Sequence, residues 1–303
     1  MKHAKIAIIG GAGNVGSAVA YALMLRNLVA EIMLVDVDEQ RVIGQVNDLS
    51  DALTFSRTSK IFCSGFDQAG KADIIIIAAG KAQKPEQKRS DLVRDNHSII
   101  TSIIQRMKPI NEKAIIIVVT NPVDVMTMMV QDMAGIARNQ IFGSGTFLDT
   151  QRLRSCIGLA LGIGAQSVHA YVLGEHGDSQ FVAWSNADVG GVPLASFAQL
   201  SKKTCTDLAL QTKEKVYEII AAKGATFFGV ASCVSAYCEN ILFDQKRVLP
   251  LSCYIEKLGV CLSMPVVLGA YGIEQILDVP LDAHEQDLLK KSAEKIRELY
   301  SLI

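Results

Sequence analysis

The chain has 303 residues, half of them hydrophobic, and a formal net charge of −1. That length allows about two domains with large cores. The balanced charge lacks the basic stripe of a nucleic-acid binder. The apolar runs at 74–79 and 115–119 fall far short of the roughly 20 residues that span a membrane.

The seven cysteines are scattered and form no CxxC pair. They read as reduced thiols of a cytoplasmic protein, and no metal site is expected from them. The first strand begins almost at once, so no secretory leader is expected.

In chain order, residues 5–10 read as a strand, 15–26 as a helix and 31–36 as a second strand. A helix fits 39–52. Further strands fit 60–63, 74–78, 115–119 and 140–142, and helices fit 89–107 and 123–133. Six apolar strands alternating with helices predict a Rossmann-type α/β fold with a doubly wound parallel sheet. The texture then changes. Long helical segments fit 150–161, 194–223 and 229–240, with strand-like pieces at 167–173, 248–254 and 261–268. This predicts a second, mixed α+β domain. The expected division is 1–143 and 144–303, with no flexible linker between them. Residues 282–303 read as an amphipathic helix. Asp282 and Glu285 pair as a cap, and Leu288, Leu289, Ile296, Leu299 and Ile303 line one face.

Gly11-Ala12-Gly13-Asn14-Val15-Gly16 follows the first strand and opens the first helix. In such a G-x-G-x-x-G turn the first glycine permits the tight turn. The second admits a pyrophosphate, and the third lets helix and strand pack closely. The helix N-terminus offers unpaired N–H groups to the phosphates. Asp36 ends the second strand, roughly 20 residues on, where a carboxylate can bind ribose hydroxyls and repel a 2′-phosphate. The cofactor expected is NAD. Arg41 could reach the ribose or pyrophosphate, or simply face solvent.

Three further segments carry candidate chemistry. The fourth strand runs into a polar loop, Lys81-Ala82-Gln83-Lys84-Pro85-Glu86-Gln87-Lys88-Arg89, at the sheet edge where ligands bind. It reads as a lid or as a solvated loop. Thr120-Asn121-Pro122-Val123-Asp124 ends the fifth strand, so Asn121 can face a ligand or serve as a turn residue. Asp149 and Arg152 lie three apart, on one face of a helix start, as functional groups or as only a local ion pair. Gly174-Glu175-His176-Gly177-Asp178-Ser179 sets a histidine between glycines, as a proton carrier or a satisfied turn residue.

These motifs, together with Gly143-Ser144-Gly145-Thr146 and Lys223-Gly224-Ala225-Thr226, resemble the L-lactate/malate dehydrogenase family over essentially the whole chain. The likeness is nearest to its bacterial-type lactate enzymes. The resemblance implies that His176 is the acid/base and Asp149 its orienting partner. It implies that Arg152 grips the substrate carboxylate and that Arg89 polarises the carbonyl once the loop closes. Asn121 and Thr226 line the pocket. Gly11, Gly13, Val15, Gly16, Asp36, Arg41, Gly80, Ser102, Asn121 and Ser144 are the expected cofactor-binding set.

Gln83 stands where malate enzymes place an arginine. A glutamine cannot neutralise a second carboxylate, and burying one unpaired is costly. Pyruvate and L-lactate are therefore the expected substrate pair. L-2-hydroxyisocaproate and malate dehydrogenases are the alternatives. Glu86 replaces the family's hinge glycine and Ala82 its usual asparagine, so loop closure and substrate range depart from the pattern.

Arg154 and His169 match positions that bind fructose 1,6-bisphosphate in allosteric members, so an effector site is expected there, or else an arginine and a histidine without a ligand. The resemblance also implies a homo-oligomer, a dimer or tetramer, without the N-terminal arm that holds some tetramers. A metal- and NAD-dependent glycosidase and a non-catalytic NAD-binding module are readings from other classes. The set Arg89, Asp149, Arg152 and His176 weighs against both.

Overall fold

A computed structural model describes residues 4–28, 30–56, 60–81 and 89–303. Side chains are described for all of these except Ala30, Arg89 and Ser90. Gln83, Glu86 and the rest of 82–88, and the Arg89 side chain, therefore lie outside the described residues.

The N-terminal half alternates strands β1 (Ala4–Ile9), β2 (Ala30–Val35), β3 (Lys60–Cys63), β4 (Ile74–Ile77), β5 (Ile115–Val118) and β6 (Ile141–Gly143) with helices. These are α1 (Asn14–Leu25), α2 (Glu39–Ala52), the short α3 (Phe66–Ala69), α4 (Arg89–Met107) and α5 (Val123–Met133). All six strands pair in parallel, in the order β6-β5-β4-β1-β2-β3. β4 and β5 are buried at every residue. Helices on both faces leave no solvated side, so an unbroken Ile/Val run is the sequence form such strands take.

The C-terminal half holds α6 (Phe147–Leu161), two-residue strands β7 (Val168–His169), β8 (Val172–Leu173), β9 (Phe181–Val182), β10 (Asp188–Val189) and β11 (Val192–Pro193), then α7 (Lys202–Lys223) and α8 (Phe228–Leu242). The long antiparallel strands β12 (Arg247–Ile255), β13 (Val260–Gly269) and β14 (Gly272–Ile276) precede α9 (Ala283–Tyr300). β12–β14 extend the parallel sheet to nine strands, joined through one residue pair, Gly143 with Ser252.

Several expectations need correction. Residues 194–223 are not one helix. A 3-10 turn at Leu194–Ser196 ends in extended chain, and α7 starts afresh where the Ser201 hydroxyl accepts the Thr204 amide. Residues 167–173 are not one strand: β7 pairs with β10 and β8 with β9, in separate sheets. The last helix has the expected Asp282–Glu285 capping box, but it stops at Tyr300, so Ile303 lies beyond its face and is exposed.

Candidate active site

The nucleotide end begins at the β1–α1 turn. The left-handed residue there is Gly10, with φ 90°, one place before the glycine expected to make the tight turn. A Cβ on Gly10 would lie 2.6 Å from the Ala79 amide nitrogen. Gly11 instead packs on Leu34. Gly16 is a contact glycine, since a Cβ there would sit 2.2 Å from the Gly10 carbonyl oxygen. Gly13 is the least crowded of the three in the fingerprint, and α1 starts behind it with neither a side-chain cap nor an acidic first turn. Its N–H groups are thus offered to an anion. Asp36 accepts the Ala12 amide at 3.1 Å, which ties the second strand's carboxylate to the glycine turn. A dinucleotide with phosphates on α1 and a ribose on Asp36 fits these residues. Val15 packs partly buried against the core, while Arg41 and Ser102 are exposed.

The next edge of the site is held by an unanticipated residue. Asn96, on α4, is fully buried. Its Oδ1 accepts the Lys81 amide at 2.8 Å, and its Nδ2 donates to the Asn121 carbonyl at 2.7 Å. It so joins the start of the polar loop to the end of β5. Gly80 must be glycine here, because a Cβ would lie 2.4 Å from Thr120 Cγ2. Asn121 itself is exposed, and Ser144 is fixed by its amide to Val118 and its carbonyl to the Tyr237 hydroxyl.

The catalytic end is built on α6 and the segment after β8. Thr146, the N-cap of α6, and Thr150, one turn further on, bond both polar groups of Val172: the Thr146 hydroxyl donates to its carbonyl, and the Thr150 hydroxyl accepts its amide at 3.0 Å. This stitch brings Asp149 and Arg152 against the turn that follows β8. Gly174 then turns with φ 86° and exchanges both backbone hydrogen bonds with Ser263 on β13. Ser292 on α9 closes the turn, accepting the Glu175 amide and donating to the Ser179 carbonyl.

Asp149 is the hub. One carboxylate oxygen lies 2.9 Å from His176 Nδ1, and the other accepts from Arg152 at 3.1 Å. The Asp149 and Arg152 side chains are almost wholly buried, whereas 30% of the His176 side chain stays accessible. Burial favours a neutral Asp149, but the charges and hydrogen bonds of His176 and Arg152 outweigh it and hold its pKa down. Burial likewise opposes a charged His176. Asp149, by charge and hydrogen bond, and then Asp124, by charge, override it and raise the imidazole above its ordinary range. An ionised carboxylate only accepts, so Nδ1 carries the proton and Nε2 is left to act on a ligand. The arrangement can donate a proton to a bound oxygen and hold an anion beside it.

Family models for the lactate/malate dehydrogenase NAD-binding domain and its α/β C-terminal domain match residues 4–143 and 146–301. The chain belongs to the lactate/malate dehydrogenase family. It is 45% identical to L-lactate dehydrogenase A of Rhizopus oryzae, over 97% of this chain and 92% of that protein. It is 38% identical to L-lactate dehydrogenase of Lacticaseibacillus casei, over 98% and 93% of the two chains. The ligand-bound minor L-lactate dehydrogenase of Enterococcus mundtii superposes with a TM-score of 0.95 at 30% identity, covering 100% and 99% of the two chains. The glycine turn and Asp36 therefore belong to this family's NAD-binding domain.

Other expected residues spread more widely. Thr226 is half-buried in the link between α7 and α8. His169 is exposed on β7. Arg154 donates to the Ala170 carbonyl at 3.1 Å and lies 5.2 Å from the Tyr171 ring, with the charge of Arg247 also reaching it. Sequence reasoning missed Asn96, Ser292 and Arg247, and took Asp124 only as part of a motif. A polar residue inside an apolar helix face was the one available signal, and it marks Asn96 and also Ser292, which lies on the α9 face of Leu288, Leu289 and Ile296.

Proposed function

We propose that the chain is an NAD-dependent L-lactate dehydrogenase, interconverting pyruvate and L-lactate. The observation that carries the reading is the single buried carboxylate of Asp149 holding His176 on one oxygen and Arg152 on the other. Bound nicotinamide supplies a hydride to the keto carbon or takes one from the hydroxy carbon. His176 gives its Nε2 proton to the keto oxygen during reduction, and recovers it in reverse. Arg152 binds the substrate carboxylate with the guanidinium edge that Asp149 leaves free. Asp149 keeps the imidazole oriented and favours its cationic form. Asn121 and Thr226 flank the substrate. The roles of Arg89, as carbonyl polariser, and of Gln83, as the residue that refuses a second carboxylate, rest on their places in the sequence. So do the contacts of Gly80, Ser102, Ser144 and Arg41 with the cofactor.

Support for lactate comes from the named relatives and from Gln83. A steady-state panel of pyruvate, oxaloacetate and 2-ketoisocaproate with NADH decides the substrate. Pyruvate is expected to lead, and a clear preference for oxaloacetate would overturn the role of Gln83. Adding fructose 1,6-bisphosphate to the same panel tests the effector site at Arg154 and His169, which the nearby charge of Arg247 supports. The expected result is a lower KM for pyruvate, and unchanged kinetics and oligomer size would remove the effector.

The division at 1–143 and 144–303 belongs to the same proposal, supported by the separate ranges of the two family models. A cytoplasmic location is supported by seven free cysteines. Among the described residues no helix is long and apolar enough to cross a membrane.

A further inference from the structure

His176 is held from two sides, and only one of them is the side-chain contact with Asp149. Asp124, in the first turn of α5, is buried. Its Oδ2 accepts the backbone amide of His176 at 2.8 Å, and its Oδ1 accepts the Ser252 hydroxyl at 2.6 Å. Ser252 is also the β12 residue that pairs with Gly143. One carboxylate thus links the parallel sheet's helix, the antiparallel hairpin and the main chain of the proton carrier.

We propose that Asp124 is a positioning residue for the reaction, fixing the His176 main chain and setting a second negative charge behind the imidazole. This rests on the reading of His176 as the acid/base. The geometry has the form of a tripod: Asp149 fixes the ring, Asp124 fixes the backbone, and Ser292 fixes the neighbouring Glu175 amide. A freed amide would let the turn pivot about the glycines on either side of Glu175 and His176, and small misplacements of a reacting group are costly. The ionisable groups facing Asp124 are His176 and Glu175 from the turn after β8, Cys253 on β12 and Cys261 on β13. Asp149 and Arg152 act on the same imidazole from α6. Burial lifts the Asp124 carboxyl to about 6, while Ser252 and His176 pull it back. Those two hydrogen bonds favour its ionised form, the form that sets a charge behind the imidazole.

Asp124→Asn keeps the shape, with an oxygen for the His176 amide and an NH2 for the Ser252 hydroxyl, but removes the charge. The readouts are the pH profile of kcat/KM for pyruvate and the NMR titration of the His176 imidazole in the substrate-free protein. Both midpoints are expected to move to lower pH in the Asn variant, so that the ratio of wild-type to variant activity grows with pH. Ser252→Ala should move them the same way by less, because it leaves Asp124 more easily protonated. Asp124→Ala removes the anchor too, and a kcat loss on the order of tenfold to a hundredfold is expected. A purely structural role would change melting without moving either midpoint. Wild-type midpoints in the Asn variant would overturn the inference, and so would an unaltered kcat in a folded Ala variant. A wild-type protein that ignores pyruvate would instead sink the substrate reading. The imidazole titration needs no substrate and would still decide the role of Asp124.

Discussion

At the scale of single residues, one histidine answers to two carboxylates. Its raised pKa fixes a direction for the pH dependence. Pyruvate reduction needs the imidazolium, so kcat/KM should hold at low pH and fall as pH rises through the raised value. Lactate oxidation needs the neutral ring and should rise across the same interval. Opposite limbs for the two directions, measured in one buffer series, are the check. His176→Asn should cost about 10²–10⁴ in turnover, and unchanged turnover would end the catalytic assignment. Linkage separates the two aspartates. Asp149 has a lowered pKa, so its contribution to stability is present above the unfolded value and lost as pH falls through the folded one. Asp124 has the opposite sign. Its pKa moves from 3.8 to about 6, so its ionisation opposes folding above that value, and the cost fades as pH falls toward 3.8. That cost is on the order of 3 kcal/mol. Asp124→Asn should therefore melt higher than wild type at pH 8, with the gain shrinking toward pH 4. A lower melting temperature at pH 8 would contradict the sign.

At the scale of elements, the turn after β8 owes its position to contacts made by α6. Thr150→Val removes the acceptor for the buried Val172 amide, at a cost of about 1–3 kcal/mol. It should also weaken the hold of Asp149 on His176. A chemical denaturation curve measures the first effect, and the pH midpoint the second. Gly16→Ala forces a Cβ to within 2.2 Å of the Gly10 carbonyl and should abolish NADH binding in a fluorescence titration. This scale also marks what the sequence could show. The isoleucine runs at β4 and β5, the helix Glu39–Ala52 and the capping box of α9 were readable, because burial on both faces and local capping leave local patterns. β7 and β8 were not, since two-residue strands are chosen by distant partners and Ala170 and Tyr171 between them carry no turn signal. The tight turn was placed one glycine late because Gly10 and Gly11 are adjacent, and only the fit against Ala79 and Leu34 tells them apart.

At the scale of the molecule, a nine-stranded sheet carries the NAD-binding turn, and the histidine turn is bridged to the same sheet where Gly174 pairs with Ser263 of β13. Asp149, Arg152 and His176 were legible only as ordered motifs; their meeting on one carboxylate needed the fold. Asp124 was hidden because a first-turn aspartate has an ordinary local explanation, and its partners lie 52 and 128 residues away. Phe55, Leu159, Phe228 and Tyr217 are large apolar side chains left mostly exposed. They are candidates for burial in the homo-oligomer that we propose from the family resemblance. Sedimentation velocity should find a dimer or tetramer at micromolar concentration, and a monomer throughout would refute it.

The clamp at Ser292 also sets an order of assembly. During synthesis the strands and helices that bind the nucleotide emerge first and can fold as they appear. The histidine turn emerges later, but its Glu175 amide waits for a partner 117 residues further along. A nascent chain is therefore expected to complete its coenzyme turn, once α8 has packed on α1, before it can handle a proton. Ribosome-bound intermediates that retain NADH while remaining inert toward pyruvate would be the visible trace of that delay.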